Sequence, residues 1–353
     1  MEKIKKKQRK SNRFKKYKNM GLTGLANLGN TCFLNSTIQC LSNTYELNEF
    51  LNTKTYEKRL NNKNESLILC EWDNLRKMMW SENCVIQPSG FVKAVQQVAR
   101  LKNRVIFTGY AQNDLTEFLD FCMGCFHDSI KREVDMVISG SSVCNTDDLA
   151  IKCYKMLKSM YTKEYSEILT LFYGIEVTII KSQESEYKSI NPEPFFNIML
   201  PIGKTKSLKG CFDLYSSIEK LEGDNKLLND NTKKKENATR EVKFWSFPNI
   251  LVFTLKRFSN IVRKNQEYID YPLTDLNLSE YVIGYDNKSY VYDLYGICCH
   301  MGGVQGGHYN AFIKNANGKW YKYNDTDVRE VTNLADLQTP YAYCFFYRKQ
   351  KCN

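Results

Sequence analysis

The chain is expected to be an α+β protein in which a helical first half precedes a β-rich second half. Two observations carry this. Between residues 45 and 104 apolar side chains recur at helical spacing, as in Trp72, Leu75, Met79 and Trp80. From Leu171 the texture changes to short runs rich in β-branched and aromatic residues, among them YGIEVTIIKS and FFNIMLPI. Helices and strands segregated in this way, with no internal repeat, point to α+β rather than to alternating βα units. The 353 residues supply ample material for a core, and a hydrophobic fraction of 42% with 13% aromatics excludes a disordered chain.

Charge and cysteine usage narrow the setting. Residues 1–18 carry +9 of the formal net charge of +11, which leaves +2 for the rest of the chain. Residues 1–19 therefore read as a basic, disordered tail ahead of one folded unit spanning 20–350. The tail KIKKKQRKSNRFKKYK suits a nuclear-import signal, a weak contact with nucleic acid or another acidic surface, a membrane-surface tether, or a merely solvated end. No apolar run reaches the length of a transmembrane segment, and the N-terminus is too basic for a signal peptide. Thirteen cysteines, irregularly spaced, do not form a disulfide framework. A reducing, intracellular setting, cytoplasmic or nuclear, is expected.

Taken in order, the first informative stretch is GLANLGNTCFLNSTIQCLSN, Gly24 to Asn43. Leu34, Ile38 and Leu41 predict a helix beginning at Cys32, with Thr31 at the N-cap position. A cysteine in the first turn feels the positive end of the helix dipole, which favours its thiolate. Gly29 and Asn30 suit a loop that approaches a substrate closely, and Asn27 can aim its amide at the same point. This is the equipment of a cysteine nucleophile with an oxyanion site. A second helix is expected near Pro88-Ser89-Gly90, through Val92, Val95 and Val98.

In GYAQNDLTEFLDFCMGCFHDSI, Gly109 to Ile130, a loop leads into a helix with Leu115, Phe118, Leu119 and Cys122 on its apolar face. Gln112, Asp114 and Glu117 place polar and acidic groups near its start. Cys122, Cys125 and His127 read as residues of a helix face rather than as a metal site, since no second ligand pair follows. No metal or cofactor is expected. Further helix is expected over 131–170. LKGCFDLYSSIEKL reads as a short helix, and 222–241 as an exposed loop or hairpin tip. WSFPNILVFTLKRF, 245–258, reads as a buried strand, with shorter strands through Tyr271, Tyr281–Ile283 and Val291–Cys298.

The last informative stretch runs from Gly302 to Val328. Tyr309–Lys314 and Lys319–Tyr323 flank Asn315-Ala316-Asn317-Gly318, a strong hairpin signal. Opposed residues in such a hairpin have a constant sum of numbers, here 633. His308 then lies across from Asp325 and one position from Asn324. Spacing alone thus puts an imidazole beside an Asn or Asp side chain, the oriented base that thiol chemistry requires. His127 sits in a helical segment and His300 follows a strand without such a partner, so His308 is the candidate base.

These boxes carry a family resemblance. GLANLGNTCFLNSTIQCL and GGHYNAFI…WYKYND resemble the cysteine and histidine boxes of the ubiquitin-specific protease family of deubiquitinating cysteine peptidases. GYAQNDLTEFL resembles the box between them, and the order holds over Gly21–Tyr347. The resemblance implies a papain-like peptidase with a helical thumb (about 20–170), a β-rich fingers extension (about 171–245) that grips ubiquitin, and a palm (about 246–350). It implies Cys32 as nucleophile, His308 as general base, Asn324 as the residue orienting it and Asn27 as oxyanion donor. Asp325 is implied as an acid that shares or replaces the third role, and Gln112 and Asp114 as contacts for the ubiquitin tail. The implied reaction is cleavage after the C-terminal glycine of ubiquitin on ubiquitinated proteins. A peptidase for a ubiquitin-like modifier, or an inactive binder of the same fold, are the alternatives. The family often carries two CxxC pairs in the fingers, whereas this chain has only Cys211 between Leu171 and Lys256. Its fingers are therefore expected to hold by packing. Asn113 stands where the family usually has a second glutamine.

Overall fold

The computed structural model describes residues 14–259, 263–303 and 306–350. Most of the basic tail, residues 1–13, lies outside the described residues, as do Val304 and Gln305 in the glycine-rich stretch before His308. Phe14–Asn19 were assigned to the tail by charge, yet they lie against the body. Tyr17 is only 5% exposed, stacks on Tyr45 at 4.5 Å and meets Trp80 edge-on. Contacts of Tyr17 with three aromatic rings, Phe14, Tyr45 and Trp80, offset the cost of ordering one lysine-rich turn.

The first half is helical, as its periodicity predicts. It contains α1 (Cys32–Ser42), α2 (Tyr45–Asn52), α3 (Ser66–Ser81), α4 (Ser89–Leu101), α5 (Leu115–Ile130), α6 (Asn145–Glu164) and α7 (Glu167–Phe172). Helix α1 is buried along its whole length, so polar Asn35, Ser36, Thr37 and Gln39 are inside together with its apolar stripe. It lies between α5 and the large sheet of the second half. The expected helix over 131–170 begins only at Asn145.

The second half contains two large sheets and, among the described residues, two small two-stranded ones. The fingers are a four-stranded antiparallel sheet of β1 (Gly174–Ser182), β2 (Lys188–Phe195), β4 (Glu219–Leu221) and β5 (Ala238–Ser246), ordered β2-β1-β5-β4. The palm sheet uses β3 (Asn197–Leu200), β6 (Ile250–Leu255), β7 (Val291–Gly302), β8 (Gly307–Lys314), β9 (Trp320–Asn324), β10 (Asp327–Glu330) and β11 (Ala342–Lys349). Its order is β10-β9-β8-β7-β11-β6-β3, with Leu276–Asn277 paired to the side of β7. Strand β3 falls within the range assigned to the fingers but pairs with β6 of the palm.

Both faces of the palm sheet are covered, which explains the continuous apolar run of β6. Ile250 and Val252 face the thumb core with Ala311, Ile313 and Phe346, while Leu251, Phe253 and Leu255 join Phe312, Phe345 and Tyr347 behind it. The strand expected over 245–258 is split, because Pro248 interrupts it between β5 and β6. Tyr271 is a buried residue outside any strand, and Ser279–Tyr281 forms a 3-10 turn instead of a strand.

Candidate active site

Cys32 opens α1 and is 4% exposed. Thr31 precedes it at the N-cap position but makes no side-chain cap; its hydroxyl oxygen accepts from the N–H of Leu28 at 2.9 Å instead. Gly29 and Asn30 both take left-handed backbone angles, φ +97° and +56°, which bring the loop round into the helix. The thiol lines a cleft of about 230 Å³ between thumb and palm, shared with Asn30, Gln112, Asp114, His300 and Gly307. Burial pushes the Cys32 thiol above its ordinary pKa; a backbone hydrogen bond with Tyr309 opposes this, and the nearby Asp325 carboxylate adds to it. Burial and the Asp325 carboxylate thus work against the helix dipole and favour the neutral thiol. Alkylation of Cys32 by iodoacetamide in the free protein should therefore keep accelerating as pH rises beyond the ordinary thiol range. A rate that levels off below neutral pH would refute the neutral thiol.

His308 lies at the start of β8, and its Nε2 is 2.5 Å from Asn324 Oδ1. The amide oxygen can only accept, so Nε2 carries the proton and Nδ1 is left as the basic nitrogen. The register behind this contact differs from the expected one by one. Ala311 pairs with Tyr323 and Lys314 with Trp320, a sum of 634, because the turn uses five residues, 315–319. Asn315 Oδ1 accepts from the N–H of Asn317, and Gly318 takes φ +89°, which close the longer loop. Asn324 then reaches His308 diagonally from the end of β9.

Asp325 does not face the imidazole. Its carboxylate turns toward the cysteine loop, where Oδ2 accepts from Asn27 Nδ2 at 3.0 Å and Oδ1 from Asn35 Nδ2 at 2.8 Å. Its carbonyl accepts from the N–H of Leu25, and the tight turn it forms with Thr326 sits directly on Gly24. A Cβ on Gly24 would stand 2.3 Å from the Thr326 carbonyl oxygen, so only glycine fits. Asn27 is fixed at both ends of its amide. Its Oδ1 accepts from the N–H groups of Gly29 and Thr31, which leaves Nδ2 with one proton on Asp325 and a second one free.

Gln112 and Asp114 line the cleft, but each is already engaged. Gln112 bridges it, accepting from the N–H of Gly307 at 2.9 Å and donating to its carbonyl at 3.2 Å. Asp114 caps α5 through the N–H groups of Thr116 and Glu117, and its other oxygen accepts from the Tyr343 hydroxyl at 2.8 Å. Cys122 and Cys125 are buried within α5, and His127 pairs with Ser166. Among the described residues no group of three His, Cys, Asp or Glu side chains stands ready to hold a metal ion. Sequence reasoning missed Asn35 and Tyr343, and weighed His300 only as a candidate base. For Asn35 a signal existed, an amide one turn after Cys32 on the same helix.

Comparison with known proteins completes the picture. A family model described as ubiquitin carboxyl-terminal hydrolase matches residues 23–347. The chain belongs to that family. Human ubiquitin carboxyl-terminal hydrolase 2 is 33% identical over 341 residues, covering 93% of this chain and 55% of the relative. Human ubiquitin carboxyl-terminal hydrolase 21 is 31% identical, covering 93% and 61%. This family member thus spans little more than half the length of those curated relatives. Among solved structures, the SAGA DUB module of Ubp8, Sgf11, Sus1 and Sgf73 bound to monoubiquitin superposes with a TM-score of 0.72 at 25% identity, covering 94% of this chain and 70% of that one. The same module bound to ubiquitin aldehyde gives the same score, with 96% of this hydrolase-family chain covered. The family and these neighbours establish the α+β, papain-like thumb, palm and fingers.

Proposed function

We propose that the chain is a deubiquitinating thiol hydrolase that cleaves after the C-terminal glycine of ubiquitin. The observation that carries this reading is a pair of anchored amides: Asn324 on His308, and Asn27 held by Asp325 in the loop that leads into Cys32. The ubiquitin-bound neighbours and the family supply the substrate class.

In this reading the neutral thiol of Cys32 passes its proton to Nδ1 of His308 as sulfur attacks the glycine carbonyl. Asn324 holds the imidazole in the tautomer that can accept that proton, without adding charge. The free N–H of Asn27 and a backbone N–H near Cys32 face the developing oxyanion. His308 then protonates the departing lysine amine and activates water to release the thioester. Gln112 must give up its bridge to Gly307 before an extended tail can lie in the cleft, and it is then free to bond that tail. The cysteines described in the structure are free thiols, including Cys40 and Cys298 with sulfurs 3.4 Å apart, which favours a reducing compartment. No helix among the described residues is long and apolar enough to cross a membrane.

The test is a ubiquitin bearing a thiol-reactive electrophile at its C-terminus, offered to wild type and Cys32→Ala. A covalent adduct on wild type alone is expected. An adduct on the variant as well removes Cys32 as nucleophile. Reaction only with the same warhead on a ubiquitin-like protein changes the substrate, and no reaction with either overturns the enzymatic reading.

A further inference from the structure

The tip of the fingers is organised around one carboxylate. Two turns meet there, Ser182–Ser185 at the end of β1 and Asn229–Thr232 within the hairpin formed by Leu227–Leu228 and Lys235–Glu236. In each turn the first side chain folds back on its own backbone. Ser182 Oγ accepts from the N–H groups of Glu184 and Ser185, both at 3.0 Å. Asn229 Oδ1 accepts from those of Asn231 at 2.9 Å and Thr232 at 3.3 Å.

The first and fourth side chains of both turns then converge on Glu236. The hydroxyls of Ser182 and Ser185 donate to Oε2 at 2.6 Å each, and Asn229 Nδ2 donates to Oε1 at 2.7 Å, with the Thr232 hydroxyl at 3.4 Å. Glu236 is 7% exposed and Asn229 2%, inside a segment whose sequence reads as an exposed loop. Hydrogen bonds from Ser182 and then Ser185 hold the Glu236 carboxyl below the usual carboxylate range. Two turns that each offer positions one and four to a shared centre are the geometry by which paired C-x-x-C turns enclose a structural metal. Here the polarity is reversed: a fixed anion sits at the centre and four neutral donors surround it.

The apolar cluster at the base of the fingers includes Ile175, Val177 and Trp245, against Ala150 and Cys153 of α6, whereas toward the tip Ala238, paired with Ser182, is the buried apolar side chain. A further link at the tip, from the Tyr187 hydroxyl to Asp230, is exposed.

We infer that Glu236 is a positioning residue for substrate binding, a buried anion that cross-links the two fingertip turns as a metal ion would and so fixes the outer end of the sheet that grips ubiquitin. This rests on the deubiquitinase reading above. Loss of the carboxylate frees both turns at once, while Cys32 and His308 sit in the palm and thumb and keep their surroundings.

The experiment is steady-state kinetics on a ubiquitin-based substrate with wild type, Glu236→Ala and the variant S182C/S185C/N229C/T232C/E236A supplied with zinc. Glu236→Ala is expected to raise KM about tenfold, the equivalent of one or two charged hydrogen bonds, with kcat nearly unchanged. Its Cys32 should react with iodoacetamide at the wild-type rate. The four-cysteine variant should bind one zinc ion per chain, recover a KM close to wild type, and lose it again on adding a chelator. A measurable wild-type KM that Glu236→Ala leaves unchanged overturns the inference. Should Glu236→Ala lose Cys32 reactivity through unfolding, the zinc variant decides: recovery of KM supports the fingertip role, and absence of zinc binding or recovery overturns it. Wild type that turns over no ubiquitin substrate overturns the functional reading itself, and the gripping role with it.

Discussion

Asp325→Asn is expected to lower kcat by about 10²-fold while KM for a ubiquitin substrate stays within a factor of about two. The carboxylate holds two amides, Asn27 and Asn35, one on each oxygen. An asparagine has one accepting oxygen, so it can keep one of these partners and must release the other or present it with an N–H. Asn27 then loses the contact that aims its free proton, and a donor that must be reoriented during the reaction gives up most of its electrostatic benefit. Asparagine is the right replacement because residue 325 has φ +51°, which asparagine tolerates and alanine does not. A second readout separates this from general damage. The Asp325 carboxylate raises the Cys32 pKa, so its removal should speed alkylation of Cys32 near neutral pH even as turnover falls. Parallel loss of both rates, or an unchanged kcat, would refute the assignment.

The second large effect concerns Asn324. Asn324→Ala removes the acceptor on Nε2 of His308, which permits the wrong tautomer and ring orientation, and kcat should fall by roughly 10²–10³-fold. Asn324→Asp should keep most activity and instead move the pH profile. A carboxylate in that position adds a negative charge beside the imidazole and favours its protonated form. The basic form required for attack is then lost at a higher pH, so the acidic limb of kcat/KM shifts upward. An acidic limb that stays in place, with kcat lost as in the alanine variant, would show that Asn324 does not orient His308.

Much of this site was legible because its chemistry is local in sequence. Cys32 at a helix start, His308 after four glycines and Asn324 beyond a hairpin are each marked by neighbours within a few residues. The exact pairing was not, since four and five residues close the same Asn-Gly turn and only the Asx contact of Asn315 decides between them. Asp325 was placed beside the imidazole by counting, yet a single left-handed residue turns it to the opposite loop. The burial that opposes the helix dipole at Cys32 was not legible either, because it depends on strands far along the chain. Glu236 was hidden most completely, because its four partners come from two polar turns that look like ordinary surface. In the fold, the segregation of helices and strands was correctly read. The split was marked by Pro248, whereas the crossing of β3 into the palm is set by its pairing with β6.

The docking of the Asp325–Thr326 turn on Gly24 and Leu25 has a consequence for the order of events in the cell. Cys32 leaves the ribosome 276 residues before His308, and the loop that carries Asn27, though held earlier by Ile86 and Tyr110, lacks its contact with Asp325 until that residue has been made. Long-range pairings of this kind form late, after local helices. A nascent thumb therefore exposes a thiol without a proton acceptor or an oriented oxyanion donor. The connectivity itself thus delays assembly of the site until the last strands arrive.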